Sequence, residues 1–166
     1  MIFPSIELIL FYLFLVFVVP RFIVPNYGFT KSSLPSKIPQ RFQEVIEKLT
    51  KESSSQEEFL KKAYDYITTT YEGGRFKTFV YFYYPFLNPF RFEKGFAQCN
   101  IQNYLLRTLL VRSKFFTEED IRVRVVFLNF FTHQYLQVRV GDTWLDIDPH
   151  AHSIGISFGK RAFLFA

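Results

Sequence analysis

The stretch Thr132-His-Gln-Tyr-Leu-Gln-Val-Arg-Val-Gly-Asp-Thr-Trp-Leu-Asp-Ile-Asp-Pro149 decides the architecture. Apolar and polar residues alternate on both sides of Gly141-Asp142, the signature of two antiparallel strands joined by a two-residue turn. With that loop the register follows: Val140 faces Thr143, Arg139 faces Trp144, Gln137 faces Asp146, Tyr135 faces Asp148 and His133 faces His150. Side chains alternate in direction, so His133, Tyr135, Trp144, Asp146, Asp148 and His150 share one face. Asp148 is then the diagonal neighbour of His133, ~7–8 Å away between backbones and within side-chain reach, whereas Asp146 lies one pair further. A slip of one residue inverts the faces and removes this pairing. Upstream, Ile121 to Asn129 alternates as a third strand.

Before these strands, Gly95-Phe-Ala-Gln98-Cys99-Asn100 runs into a segment where Ile101, Leu105 and Leu109 recur at helical spacing to Arg112. Cys99 therefore opens a helix, where unpaired amides and the dipole favour a thiolate. Two earlier helices are expected. Phe42, Val45, Ile46 and Leu49 form an amphipathic helix to about Lys51, with Pro39 in its first turn, free to pack on the domain or lie on a membrane. Ser55 and Glu58 form a capping box for a second, whose stripe is Phe59, Leu60, Ala63, Tyr66 and Ile67, ending before Gly73-Gly74. From Phe76 to Phe92, nine of seventeen residues are Phe or Tyr, broken by Pro85 and Pro89. Three readings stay open for this tract: core cover, the wall of a substrate groove, or contact with a bilayer.

The full chain of 166 residues suits one domain with an appendage, and 49% hydrophobic against 21% charged residues excludes overall disorder. One cysteine excludes an intramolecular disulfide framework and Cys-rich metal sites. The net charge of +5 is spread thinly along the chain, so nucleic acid is not expected as a partner. Aromatic residues reach 20%, and part of that excess lies in Ile2 to Val24, an apolar block whose only charges are Glu7 and Arg21. A span needs ~20 apolar residues, and the block lacks the basic start and small-residue cleavage site of a secretory signal, so an uncleaved single-pass anchor is expected. Arg21, Lys31 and Lys37 after it lean the domain slightly toward the cytoplasmic side. The resulting division is an anchor over 1–25, a tether and amphipathic helix over 26–54, and a catalytic domain over 55–166.

A thiol, an imidazole and a carboxylate in the order Cys99, His133, Asp148 supply nucleophilic acyl transfer: the imidazole takes the thiol proton and later protonates the leaving amine, while the carboxylate orients it. His150 and His152 have the spacing of metal ligands on one strand face but lack a third clear ligand, and neither a metal nor another cofactor is expected.

With Gln98-Cys99, His133-Gln-Tyr135-Leu-Gln137-Val138 and Trp144-Leu-Asp-Ile-Asp148-Pro149, residues 56 to 150 resemble the transglutaminase-like superfamily, a branch of the papain-like cysteine fold. The resemblance implies an α+β core with the catalytic Cys at the start of a helix packed on an antiparallel sheet. It implies Cys99 as nucleophile, His133 as general acid and base, and Asp148 as orienting carboxylate. Gln98, Tyr135 and Trp144 are assigned to the oxyanion and substrate-binding side. Tyr135 stands where the family usually has Trp, Gln137 where it has Glu, and Ala97 where many members have Gly; the Arg-x-x-Gly-Ile turn after the Cys helix is absent. The expected activity is a thiol protease or amide hydrolase acting through a thioester, with a peptide or protein as substrate and membrane lipid around the anchor. A catalytically silent module binding protein or peptide, and a protein-glutamine acyl transferase, are the alternatives.

Overall fold

A computed structural model describes residues 5–91, 94–128 and 131–163; parts of the expected anchor (residues 1–4), aromatic tract (Phe92), third strand (Asn129) and C-terminal end (164–166) lie outside them. The chain is mixed α+β. In order it forms α1 (Ile6–Phe17), α2 (Val19–Ile23), α3 (Gln40–Lys51), α4 (Gln56–Thr70), β1 (Tyr71–Glu72), α5 (Arg75–Val80), β2 (Gly95–Phe96), α6 (Cys99–Arg112), β3 (Ile121–Leu128), β4 (Phe131–Val140) and β5 (Thr143–Ile147).

The hairpin has the register expected from its two-residue loop, with Val140 opposite Thr143, Arg139 opposite Trp144 and Gln137 opposite Asp146. Gly141 takes φ +57°, which a primed hairpin turn requires and which glycine adopts without a Cβ penalty. β3 completes an antiparallel sheet of order β3-β4-β5. The ladder stops at Leu136–Ile147, three residues short of the expected His133–His150 pairing. Pro149 has no N–H to continue a strand, and at φ −66° and ψ −33° it starts a 3-10 turn over His150–Ile154. Asp148 thus projects from the strand end.

α6 is the central element. Ile101, Leu105, Leu106, Leu109 and Leu110 are fully buried between α4 on one side and β4 on the other. Most of its buried polar groups are bonded: Asn103 Nδ2 donates to the Gln134 carbonyl at 2.8 Å, Thr108 Oγ1 to the Tyr104 carbonyl at 2.8 Å, and Arg107 to Glu118 at 2.8 Å and the Ser32 carbonyl at 2.6 Å, while Gln102 Oε1 and Asn103 Oδ1 have no partner among the described residues. These bonds offset much of the cost of burying a helix that carries polar residues.

α4 carries the expected cap, Ser55 Oγ accepting from Glu58 N at 3.2 Å. Its fully buried stripe uses Tyr64 where Tyr66 was expected; Tyr64 points toward His152 and Phe158, while Tyr66 is half-buried beside Phe42. α3 packs on the domain through Phe42, Ile46 and Leu49, and Pro39 is its N-cap rather than part of its first turn.

The Pro- and Ser-containing stretch after α2 runs along the domain as a strap. Asn100 Nδ2 donates to the Pro25 carbonyl at 2.9 Å, Gln134 Nε2 to the Asn26 carbonyl at 2.9 Å, and Arg112 to the Ser36 carbonyl at 3.1 Å. Lys31 bonds the Ile121 carbonyl at 3.0 Å and pairs with Glu118 at 3.2 Å.

The segment Ile6–Ile23 has a mean hydropathy of 2.3 and is long and apolar enough to cross a membrane. It breaks between α1 and α2 for an identifiable reason. Pro20 lacks the N–H that would bond the Val16 carbonyl four residues back. Thr132 Oγ1 donates to that carbonyl instead, at 3.2 Å, and Phe17 stacks on Phe127 at 5.7 Å, so the end of α1 is fastened to the start of β4 and the end of β3.

Candidate active site

Two elements meet at the site. Cys99 is the first residue of α6, with Gln98 as N-cap in extended conformation. His133 is the third residue of β4, and the burial of Leu136 and Val138 against the core puts the odd-numbered residues on the other face of the strand. The thiol is half-buried; His133 and Asp148 are buried at 4% and 1% exposure, which removes water as a competing partner for their mutual bond.

His133 Nε2 lies 2.7 Å from Asp148 Oδ2. The same oxygen accepts from the Ala162 amide at 3.0 Å, and Oδ1 accepts from the Ala151 amide at 3.1 Å. Three donors hold this buried carboxylate in one orientation. Nε2 being committed to Asp148, the other ring nitrogen is the one left to serve Cys99, whose sulfur lies close enough to act on the ring electrostatically. Burial alone would push the imidazolium down, but the hydrogen bond to Asp148 and the nearby Cys99 sulfur outweigh it and hold His133 up at about 10. The first-turn amides of α6 at Cys99 and Asn100 have no i−4 carbonyl inside the helix, so they supply donors at its N-terminus for a developing oxyanion.

The structure brings Cys99, His133 and Asp148 together, and Asp148 rather than Asp146 is the partner of His133. Asp146 instead accepts from Gln137 at 2.9 Å and Arg161 at 3.0 Å. Of the residues assigned to oxyanion and substrate binding, none has its side chain turned to the thiol. Gln98 donates its side-chain amide to the Tyr81 carbonyl at 3.0 Å and the Thr78 carbonyl at 3.4 Å, fastening the aromatic tract beside Cys99. Tyr135 is buried two residues from His133, with the Arg161 guanidinium 5.1 Å from its ring centre. Trp144 is opposite Arg139, six residues along β4 from His133 or ~20 Å at the rise of a strand. Guanidinium groups of Arg122 and Arg139 lie 3.8 and 5.9 Å from its ring centre.

His150 and His152 diverge. The His150 ring is 5.5 Å from that of His133 and accepts from the Gly74 amide at 3.4 Å, while His152 Nδ1 meets the Tyr64 hydroxyl at 3.3 Å. Gly73 is the glycine that lets β1 approach this turn: a Cβ there would sit 2.3 Å from the His150 carbonyl oxygen.

One site neighbour has no signal in the sequence. Tyr27, on the strap, is buried, and its hydroxyl is held well above the ordinary phenol range by burial and then by the negative charge of Cys99. Thr132 lies beside that hydroxyl, yet it completes no hydrogen bond among the described residues. No contact pattern within residues 25–33 announces this docking, because the strap is held mainly through backbone carbonyls.

The chain matches no family model, no curated protein and no solved structure.

Proposed function

We propose that this chain is a membrane-anchored, transglutaminase-like cysteine hydrolase that cleaves an amide bond in a peptide or protein. The observation that supports it is the buried His133–Asp148 pair standing beside Cys99 at the start of a buried helix. The Cys99 thiolate attacks the substrate carbonyl carbon, forming a C–S bond as the carbonyl π pair moves onto oxygen, where the first-turn amides of α6 accept its charge. As the tetrahedral adduct collapses, the C–N bond breaks and protonated His133 gives its proton to the leaving amine. Water then attacks the thioester while His133 takes its proton. Collapse releases the acid and returns the thiolate with its imidazolium partner. Asp148 stays charged throughout, holding Nε2–H and so aiming the other ring nitrogen at sulfur and substrate.

Water as acceptor makes hydrolysis the favoured outcome over acyl transfer to a protein amine. In this reading Ile6–Ile23 spans the bilayer once, and Arg21, Lys31 and Lys37 lean the domain to the cytoplasmic side. A reporter fused after Ala166 that is active only on the external side overturns that orientation.

An electrophilic peptide probe tests the chemistry: it should label wild-type protein at Cys99, and His133→Ala should abolish labelling in folded protein. Equal labelling of the two would overturn the reading. A second reading, a catalytically silent module that binds protein or peptide, is favoured by the strap, whose Tyr27 is packed near the thiol. Normal cellular function in a Cys99→Ala variant would select it.

A further inference from the structure

We propose that the aromatic face of residues 76–86, with Phe131, is a second membrane contact that seats the domain in the lipid interface beside its anchor. This rests on the membrane reading of Ile6–Ile23 and is independent of the triad's chemistry.

The aromatic tract divides by direction. Tyr81 and Tyr84 turn inward and stack on Phe96 at 5.5 and 6.0 Å, and Phe90 packs on Phe42 at 5.1 Å. Phe76, Phe79, Val80, Phe82 and Phe86 turn outward and are 88, 59, 65, 70 and 55% exposed. The outward set is not a loose flap, since Gln98 bonds the backbone at Thr78 and Tyr81 to the start of α6. An apolar face fixed outward and of this density is a contact surface rather than scattered exposure.

Its continuity with α1 names the occupant. Phe79 meets the ring of Phe131 at 5.4 Å, and the next residue, Thr132, bonds the Val16 carbonyl. Val16 lies seven residues before Ile23, which at a rise of 1.5 Å per residue is at most ~10 Å along the helix from the end of the apolar segment. A span of ~30 Å of hydrocarbon leaves no room for Val16 to stand clear of the bilayer. The start of β4 is therefore carried to the membrane surface, and Phe131 and the outward aromatics go with it. Phenylalanines at the boundary of headgroups and acyl chains are the composition of an interfacial contact.

The test uses the full chain in phosphatidylcholine vesicles containing phosphatidylserine, with Cys99→Ser removing the native thiol. An environment-sensitive fluorophore is placed singly at Phe82→Cys, Phe76→Cys, Leu10→Cys and Lys61→Cys. Labels at positions 82 and 76 should blue-shift and lose emission to doxyl-bearing lipids as the label at 10 does, while the label at 61 stays open to aqueous iodide. Iodide quenching at 82 and 76 with lipid quenching at 10 overturns the proposal and leaves the anchor standing. Iodide quenching at 10 as well overturns the anchor and the proposal together. Shielding of 82 and 76 from both quenchers assigns the face to a protein and also overturns it.

Discussion

Asp148→Asn is the substitution that most directly probes the buried pair. In the wild type, Asp148 Oδ2 accepts from His133 Nε2 at 2.7 Å and the Ala162 amide at 3.0 Å, with Oδ1 on the Ala151 amide. Asparagine keeps the volume but replaces one acceptor oxygen by a donor, so at least one buried N–H loses its partner and the ring loses its countercharge. Breaking a buried pair from one side costs about 3–5 kcal/mol. The rise of His133 from 6.5 to about 10 corresponds to roughly 5 kcal/mol of preference for the charged ring, a similar size. The sign follows from linkage: a group raised on folding contributes its full stability below its unfolded value of 6.5 and loses it as pH rises through about 10. Urea unfolding in detergent, followed by Trp144 fluorescence, should show wild-type stability falling between pH 6.5 and pH 10 by more than that of the variant. The two proteins should differ most at the acidic end. Parallel pH profiles, or an unchanged midpoint at pH 6.5, would refute the assignment of Asp148 as the partner that charges His133.

Three further substitutions separate packing from chemistry. Gly73→Ala places a Cβ 2.3 Å from the His150 carbonyl oxygen and 2.7 Å from Ser153 Oγ, whereas Gly74→Ala meets only the Lys77 side chain, at 3.5 Å. The first should cost about 1–3 kcal/mol in urea unfolding and slow Cys99 alkylation by shifting the turn that carries Asp148, and the second should do neither. Tyr27→Phe deletes a buried hydroxyl that completes no hydrogen bond, so the unfolding midpoint should stay level or rise. A loss of more than about 1 kcal/mol would show that Thr132 bonds this hydroxyl after all.

The parts of the fold legible in the sequence are those whose determinants are side-chain periods. Alternation on both sides of Gly141-Asp142 specifies the register, and the register selects Asp148 over Asp146. The capping box at Ser55 and the i, i+4 spacing of Ile101, Leu105 and Leu109 mark α4 and α6 for the same reason. Where β5 ends is less legible, because Pro149 stops the ladder only through its missing N–H and the expected Tyr135–Asp148 pairing would have suited a longer strand. Trp144 shares the triad's face of the hairpin, but face says nothing about distance along it. Tyr64 and Tyr66 are separated by which side of α4 meets the C-terminal turn, a tertiary fact. The docking of the strap was beyond reach for a different reason: its acceptors are the carbonyls of Pro25, Asn26 and Ser32, and every residue carries a carbonyl. The same holds for the aromatic tract, where composition marks an excess but inward Tyr81 and outward Phe82 are one residue apart.

Thr132 ties the apolar N-terminal segment to the site through one hydroxyl. Pro20 removes the helical donor to the Val16 carbonyl, Thr132 replaces it from the neighbouring strand, and the next residue on that strand is His133. A proline break between α1 and α2 therefore creates an acceptor that holds the strand carrying His133. Thr132→Val preserves shape and β-branching while deleting the donor, so its effect isolates this bond. An acceptor left unsatisfied in apolar surroundings costs about 1–3 kcal/mol. The loss should be local: amide exchange should rise at the start of β4 and the end of α1, with the β4–β5 hairpin around Gly141 unaffected. Because His133 would then be held from Asp148 but no longer steadied from Thr132, Cys99 alkylation should slow. Exchange at Val16–Val19 and alkylation both matching the wild type would mean that Phe17 against Phe127 fastens the helix unaided, and that the Thr132 bond is incidental to the site.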